Sequence, residues 1–371
     1  MNNNLKYRKN INNDHNLQKL KICKSMIKDN MDEFEKLGEG HQGMVYKIRS
    51  SDCGSIVLKK YKSNFDKNKY GNLNTLEKKR IFMETWFLHK ITDLINNNIC
   101  PNFIYLYYSK ININDDAKHV HNNTYILMEY ADANLITFFN TNYKYELYNS
   151  LFFQIFVAVL CIQKYLKGIH GDLSISNIFY KKINDNVVFK YIINDKTYYV
   201  PTYGYLFMIA DFERSESLLN NIHNNNNIDT YIDTNHDLHM IKSLYRRPIK
   251  KYMRDNNIDT TSKLLNMLNT NDKNKLSDII SNIKKKAKKL NITNSEKYVF
   301  SELLHYILTE KIIDYTQIVD DNTNKLVDYL YNMKKKIFID DKPIENILYD
   351  YFYDKYSNKI NGVIYTFNIT F

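Results

Sequence analysis

Two short stretches carry the side chains with chemistry to offer: His170-Gly171-Asp172-Leu173-Ser174-Ile175-Ser176-Asn177 and, further along, Asp211-Phe212-Glu213. Asp172 is a carboxylate suited to take the proton of an attacking hydroxyl. Asn177, five residues on, offers a neutral oxygen, and Asp211, which ends a hydrophobic stretch, offers a hard anionic one; Mg2+ favours oxygen donors of both kinds. Transfer of the γ-phosphoryl group of ATP calls for such a set, because that reaction needs positioning and charge neutralisation more than covalent help. Asp and Asn also cap turns and end strands, so the surrounding elements must decide.

Upstream runs Leu37-Gly38-Glu39-Gly40-His41-Gln42-Gly43-Met44-Val45-Tyr46-Lys47-Ile48, a G-x-G-x-x-G-x-V pattern ahead of an apolar strand. Glycines let a backbone turn sharply and approach phosphate oxygens, although alone the pattern also suits a hairpin or a dinucleotide-binding turn. Next comes Ile56-Val57-Leu58-Lys59-Lys60. The phosphate-binding lysine of a V-A-I-K strand has apolar residues one and three places before it, which selects Lys59 over Lys60. A helical segment over roughly 76–95 carries Ile81, Trp86, Phe87, Leu88 and Ile91, with Glu84 available to pair with the lysine and Glu77 as the alternative. Tyr125-Ile126-Leu127-Met128-Glu129-Tyr130-Ala131 reads as a buried strand entering a polar linker, and 150–167 as a mostly buried helix leading into the loop of Asp172.

In this order and at these spacings the motifs resemble those of the protein kinase-like superfamily over roughly 34–244. The His-Gly-Asp form and Tyr198-Tyr199-Val200-Pro201-Thr202-Tyr203-Gly204-Tyr205 before Asp211 are similar to atypical serine/threonine kinases of large nucleocytoplasmic DNA viruses. That resemblance implies a bilobal α+β fold: a small β-rich N-lobe with one main helix over 31–133, and a larger, mostly helical C-lobe over 134–371. It implies ATP held by Gly38, Glu39, Gly40, Gly43, Val45, Val57, Lys59 and the backbone of Glu129, Tyr130 and Ala131. Mg2+, or Mn2+ in its place, would bind Asn177 and Asp211, with Asp172, Lys59 and Glu84 as the catalytic set. Asp237 is expected to open a helix beneath the catalytic loop and accept backbone N–H groups from it.

The chain departs from the common kinase pattern at four points. Gly171 replaces an arginine that often reads a phosphorylated loop. Ser174 replaces a lysine that commonly steadies the γ-phosphate. Glu213 replaces the glycine after Asp-Phe, which should stiffen the backbone there. No Ala-Pro-Glu motif follows, and only about 25 residues separate Asp211 from Asp237, so the docking platform for a peptide is short.

The 371 residues are long enough for two lobes with extensions. Residues 1–30 are Asn- and Lys-rich and read as a basic arm, partly flexible. The longest apolar run, Leu151 to Ile162, is broken by Gln154 and falls short of the roughly 20 residues a bilayer requires; no transmembrane segment is expected. Four cysteines, Cys23, Cys53, Cys100 and Cys161, lie scattered without ligand spacing, so neither disulfides nor zinc is expected and a reducing compartment fits, host cytoplasm or virion for a viral protein. A net charge of +11 is compatible with anionic partners, but Lys284-Lys285-Lys286 with Lys288-Lys289 reads as a solvated helix face, and no nucleic acid is required. Residues 178–210 form an insert, read as two strands, 187–193 and 197–209, around Asn194-Asp195; the segment after Arg246 reads as a helical extension. The first expectation is an ATP-dependent kinase acting on protein serine or threonine, with virion or host proteins as substrates. A small-molecule phosphotransferase of the aminoglycoside or choline kinase kind and a non-catalytic pseudokinase are the alternatives.

Overall fold

The computed structural model describes residues 34–39, 43–50, 54–61, 75–111, 124–141, 145–219, 235–244, 262, 265, 270–289, 303 and 343–371. The expected N-terminal arm, Gly40 of the glycine-rich turn, Cys23 and Cys53 lie outside them.

Alternating apolar and polar residues before position 130 build one antiparallel sheet. Strands β1 (Glu35–Glu39), β2 (Gly43–Ser50), β3 (Gly54–Tyr61), β4 (Leu106–Lys110) and β5 (Tyr125–Glu129) lie in the order β1-β2-β3-β5-β4. Period-2 alternation splits β3 between two faces. Ile56 and Leu58 pack with Ile48 and Leu127 into a small cluster on one side, which leaves Val57 and Lys59 on the other. Val45 is the cross-strand partner of Lys59, and Met128 and Lys47 are those of Val57, so this second face sets Lys59 among apolar neighbours with Lys47 further along it. Behind it runs α1 (Thr75–Asn96), whose Met83, Phe87, Leu88 and Ile91 are buried.

The C-lobe is organised around α3 (Tyr145–Tyr165), reached through β6 (Ala133–Asn134) and α2 (Leu135–Thr141). By length and composition α3 could cross a membrane, but it is the core helix of this lobe: 83% of its most apolar window is buried. Phe152, Phe153, Phe156 and Leu160 are each fully covered. Gln154, which interrupts the apolar run, is a buried connector. Its side-chain oxygen accepts from the side-chain amide of Asn102 at 2.8 Å and from the backbone of Phe207 at 3.0 Å, while Tyr191 donates to Asn102 at 2.7 Å. A buried polar network of this kind is stable only when its members are satisfied. Here it ties the segment between α1 and β4 to the core helix and to the insert. Backbone bonds from Ile104 to Ile209 and from Ile209 to Asn102, both 3.0 Å, complete the link.

After β7 (Gly168–Ile169) the insert differs from its two-strand expectation. It contains β8 (Ile178–Lys182), β9 (Val187–Ile193), β10 (Lys196–Pro201) and β11 (Tyr205–Ile209). β9 and β10 pair around Asn194-Asp195 as expected, but the run 197–209 breaks at Thr202-Tyr203-Gly204. Tyr203 and Gly204 both have positive φ, 49° and 83°, and the turn sends β11 back onto β8. β12 (Glu216–Ser217) then pairs with β7, and α4 (Asn235–Leu244) and α5 (Thr270–Lys289) follow. Lys284, Lys285, Lys286, Lys288 and Lys289 are on the exposed face of α5.

The C-terminal extension, expected to be helical, is helical only in part among the described residues. Helical turns over Ile344–Ile347, Leu348–Phe352 and Tyr353–Tyr356 give way to β13 (Val363–Ile369), which pairs in parallel with β9 along its whole length. Alternation explains it: Phe367 and Ile369 are buried while Thr366 and Asn368 face out.

Candidate active site

Strand β3 and helix α1 bring the first two predicted residues together. Lys59 Nζ donates to both carboxylate oxygens of Glu84, at 2.7 and 2.9 Å, and both side chains are almost fully enclosed. Tyr61 donates its hydroxyl to Glu84 at 2.6 Å. The structure therefore selects Glu84 as the partner of the lysine. Helix α1 is held in place by Phe212, which stacks against Phe87 at 5.6 Å and packs on His170 at 5.0 Å.

Two further carboxylates reach the same amine. Asp211 lies 3.3 Å and Glu213 2.7 Å from Lys59 Nζ, and one oxygen each from Glu84, Asp211 and Glu213 fits within 4.8 Å of the others. Burial disfavours the lysine's charge, but the three carboxylates outweigh it and raise its pKa above the usual lysine range. Burial also pushes Glu84 up to about 7, against the pull of Lys59 and with help from Asp211 and Glu213. Three acidic groups facing one ammonium leave an excess of negative charge, and hard oxygen donors so arranged suit a divalent cation such as Mg2+. Glu213 is the residue sequence reasoning undervalued. The motif pattern marks it only as a backbone stiffener, whereas its carboxylate belongs to the charge cluster around Lys59. An extra acid two residues after the candidate metal-binding aspartate was the available signal.

Asp211 has φ +67°, a left-handed conformation that costs most residues strain but that Asp tolerates. It follows Ala210, whose N–H donates to the Asn177 carbonyl at 2.9 Å; this bond joins the two predicted metal-binding loops. Asn177 is fixed in turn, its side-chain amide donating to the Asp172 carbonyl at 2.8 Å.

The loop carrying Asp172 is held from below by the fully buried Asp237 in the first turn of α4. Its two oxygens accept the N–H groups of His170 at 2.7 Å and Gly171 at 3.0 Å. His170 Nδ1 accepts from the Asp172 backbone at 3.3 Å, so Nε2 carries the proton and donates to the Ala210 carbonyl at 3.0 Å. Ser215 donates to the His170 carbonyl at 2.9 Å. Asp172 itself is half-buried with Arg214 Nε 3.8 Å away, a neighbour that the sequence reading did not single out.

The predicted nucleotide contacts divide. Val45 and Val57 lie on the Lys59 face of the sheet, as their strand register dictates. A Cβ on Gly38 would meet open space, whereas one on Gly43 would come within 2.5 Å of the Lys60 carbonyl. The packing of β2 against β3 therefore itself requires a glycine at position 43. Glu39 ends β1 and pairs with Lys36 at 2.8 Å. Of the linker after β5, the N–H of Glu129 is already bonded to the Tyr105 carbonyl at 2.8 Å and its carboxylate to Lys181 at 2.9 Å; that amide is not available to a base. Tyr130 lies under Lys47, 4.0 Å from ring centre to Nζ. Ala131 follows it, half-buried, at the entry to the C-lobe.

No family model matches the chain. It is 31% identical over 222 residues to "Probable serine/threonine-protein kinase 380R" of Invertebrate iridescent virus 6, a match covering 54% of this chain and 40% of that relative. A looser overlap, TM-score 0.35 and 18% identity over 53% of this chain and 51% of the other, is with the CAK complex of Chaetomium thermophilum bound to ATP-gamma-S. The enclosed Lys59–Glu84 pair, the Asp211 turn and the Asp237-anchored loop of Asp172 thus lie in a chain that is similar to a probable viral serine/threonine kinase and spans less than half of that relative's length.

Proposed function

We propose that the chain is an ATP- and Mg2+-dependent phosphotransferase acting on serine or threonine hydroxyls of proteins. The observation that carries this reading is the buried Lys59–Glu84 ion pair aimed at Asp211. Enclosing an amine is costly, and on this reading the cost serves binding: Lys59 would take the α- and β-phosphates while Glu84 fixes its direction. Val45 and Val57 would pack on the adenine, with the Ala131 backbone meeting its polar edge. Bound at Asp211 and Asn177, Mg2+ would neutralise charge on the phosphates; Glu213 is a third oxygen donor within reach of that position. Asp172 would orient the acceptor hydroxyl and receive its proton, and the bonds from Asp237 and Asn177 hold the Asp172 loop in one shape.

The similarity to a probable serine/threonine-protein kinase supports protein serine or threonine as acceptor; virion or host proteins are the substrates we propose. Purified chain incubated with γ-labelled ATP and Mg2+ should label itself or a basic protein acceptor. Consumption of aminoglycosides or choline far faster than any protein would instead assign it to small-molecule phosphotransferases.

A further inference from the structure

Phosphoryl transfer spreads negative charge over the γ-phosphate oxygens, and an enzyme needs cations on the acceptor side as well as on the nucleotide side. Between Asp172 and Asn177 the catalytic loop supplies none: the intervening residues are Leu173, Ser174, Ile175 and Ser176. The two serine hydroxyls bond to each other at 2.6 Å. Lys59, assigned to the α- and β-phosphates, lies on the nucleotide side among Glu84, Asp211 and Glu213. Among the described residues, the cation that reaches Asp172 is Arg214, with Nε 3.8 Å from Oδ2.

We infer that Arg214 is the acceptor-side cation of this enzyme, contacting the γ-phosphate during transfer. Its backbone is built into the loop and its side chain is not. Phe212 before it is buried between Phe87 and His170, and Ser215 after it is buried and bonded to the His170 carbonyl. The Arg214 carbonyl lies so close over Gly171 that a Cβ there would be 2.3 Å away, and Gly171 has φ +76°. This close approach accounts for a glycine beside Asp172, since any larger residue would lift Arg214 off the catalytic loop. The Arg214 side chain, by contrast, is 61% exposed. It can exchange its loose contact with Asp172 for phosphate oxygens, for which a guanidinium fork is well matched. In the step itself the acceptor oxygen bonds to γ-phosphorus, the bond to the β-phosphate bridging oxygen breaks with its electrons leaving on ADP, and the hydroxyl proton goes to Asp172. Arg214 changes no bond; it compensates charge.

This inference rests on the phosphotransferase reading, and a charge-relocation experiment separates the two. Arg214→Gln should lower kcat by about 10- to 100-fold while leaving the KM for ATP and the thermal stabilisation by Mg-ATP close to wild type. Ser174→Lys added to Arg214→Gln should restore at least about a tenfold share of the loss, because it returns a cation to the same side of the phosphate. The inference is overturned by an Arg214→Gln enzyme as fast as wild type, or by a slow variant with a lowered melting temperature that Ser174→Lys does not recover. Wild-type protein that transfers no phosphate to any acceptor overturns the broader reading along with it.

Discussion

Replacing Asp237 by Asn keeps the size of the side chain and removes half of its accepting capacity. In the native protein one carboxylate takes two backbone N–H groups, from His170 at 2.7 Å and Gly171 at 3.0 Å, with no exposure to solvent. Hydrogen bonds to a charged acceptor contribute on the order of 1.5–3 kcal/mol each, and a buried donor left unpaired costs about 1–3 kcal/mol. The amide of Asn can accept one N–H but turns its own NH2 toward the other, so the expected loss is about 3 kcal/mol. Ser215→Ala, which removes a neutral bond to the His170 carbonyl at 2.9 Å, should lose only about 1 kcal/mol. Urea unfolding followed by circular dichroism measures both, with the single tryptophan, Trp86 in α1, reporting on the N-lobe. Phosphate transfer by Asp237→Asn, assayed well below its melting temperature, should fall more than about tenfold, because the loop that aims Asp172 loosens. An Asn variant within about 0.5 kcal/mol of wild type and with unchanged transfer would refute the claim that this carboxylate shapes the catalytic loop.

The charge cluster yields two further expectations and the terminal strand one. At pH 8 Lys59→Met leaves Glu84 enclosed without its counter-ion and should destabilise by about 3–5 kcal/mol; adding Glu84→Gln should recover part of that, and a single variant as stable as wild type in urea would contradict it. Because Glu84 is raised from 4.5 to about 7, the folded protein holds more protons than the unfolded chain across that window. The Glu84 contribution to stability therefore declines as pH rises from 4.5 through 7, and the stability difference between wild type and Glu84→Gln, followed from pH 5 to 7.5, should shift in that direction; a rising difference would show the sign to be wrong. Removing residues 363–371 uncovers the β9 edge and takes away buried Phe367 and Ile369, at about 1.5–3 kcal/mol for each side chain. A truncated protein with an unchanged melting temperature would mean that β13 is not an integral strand.

The chemistry was legible where residue type and local pattern act together. The strand alternation around Lys59, the helix carrying Glu84 and the turn residues around Asp172 each form by rules read over a few neighbours, and the structure brings Lys59, Glu84 and Asp211 to one point. What could not be read depends on contacts between distant segments. Gln154 looks like a flaw in an apolar helix until Asn102 and Phe207 arrive beside it. Likewise, Val363–Ile369 has no local partner, since its ladder is with β9 far back in the chain. Gly171 and Gly43 owe their identity to carbonyls of Arg214 and Lys60, neither of which a motif pattern records. Glu213 and Arg214 flank a recognisable dipeptide, but only the fold shows that one carboxylate meets Lys59 and one guanidinium meets Asp172.

The most direct test of the central claim is transfer of label from γ-labelled ATP to a protein acceptor with Mg2+, by wild type beside Asp172→Ala and Asp211→Ala. Both variants should remain folded and lose transfer by at least about a hundredfold, Asp211→Ala also losing thermal stabilisation by Mg-ATP. Undiminished transfer by either variant would contradict a phosphotransferase site built on these two carboxylates.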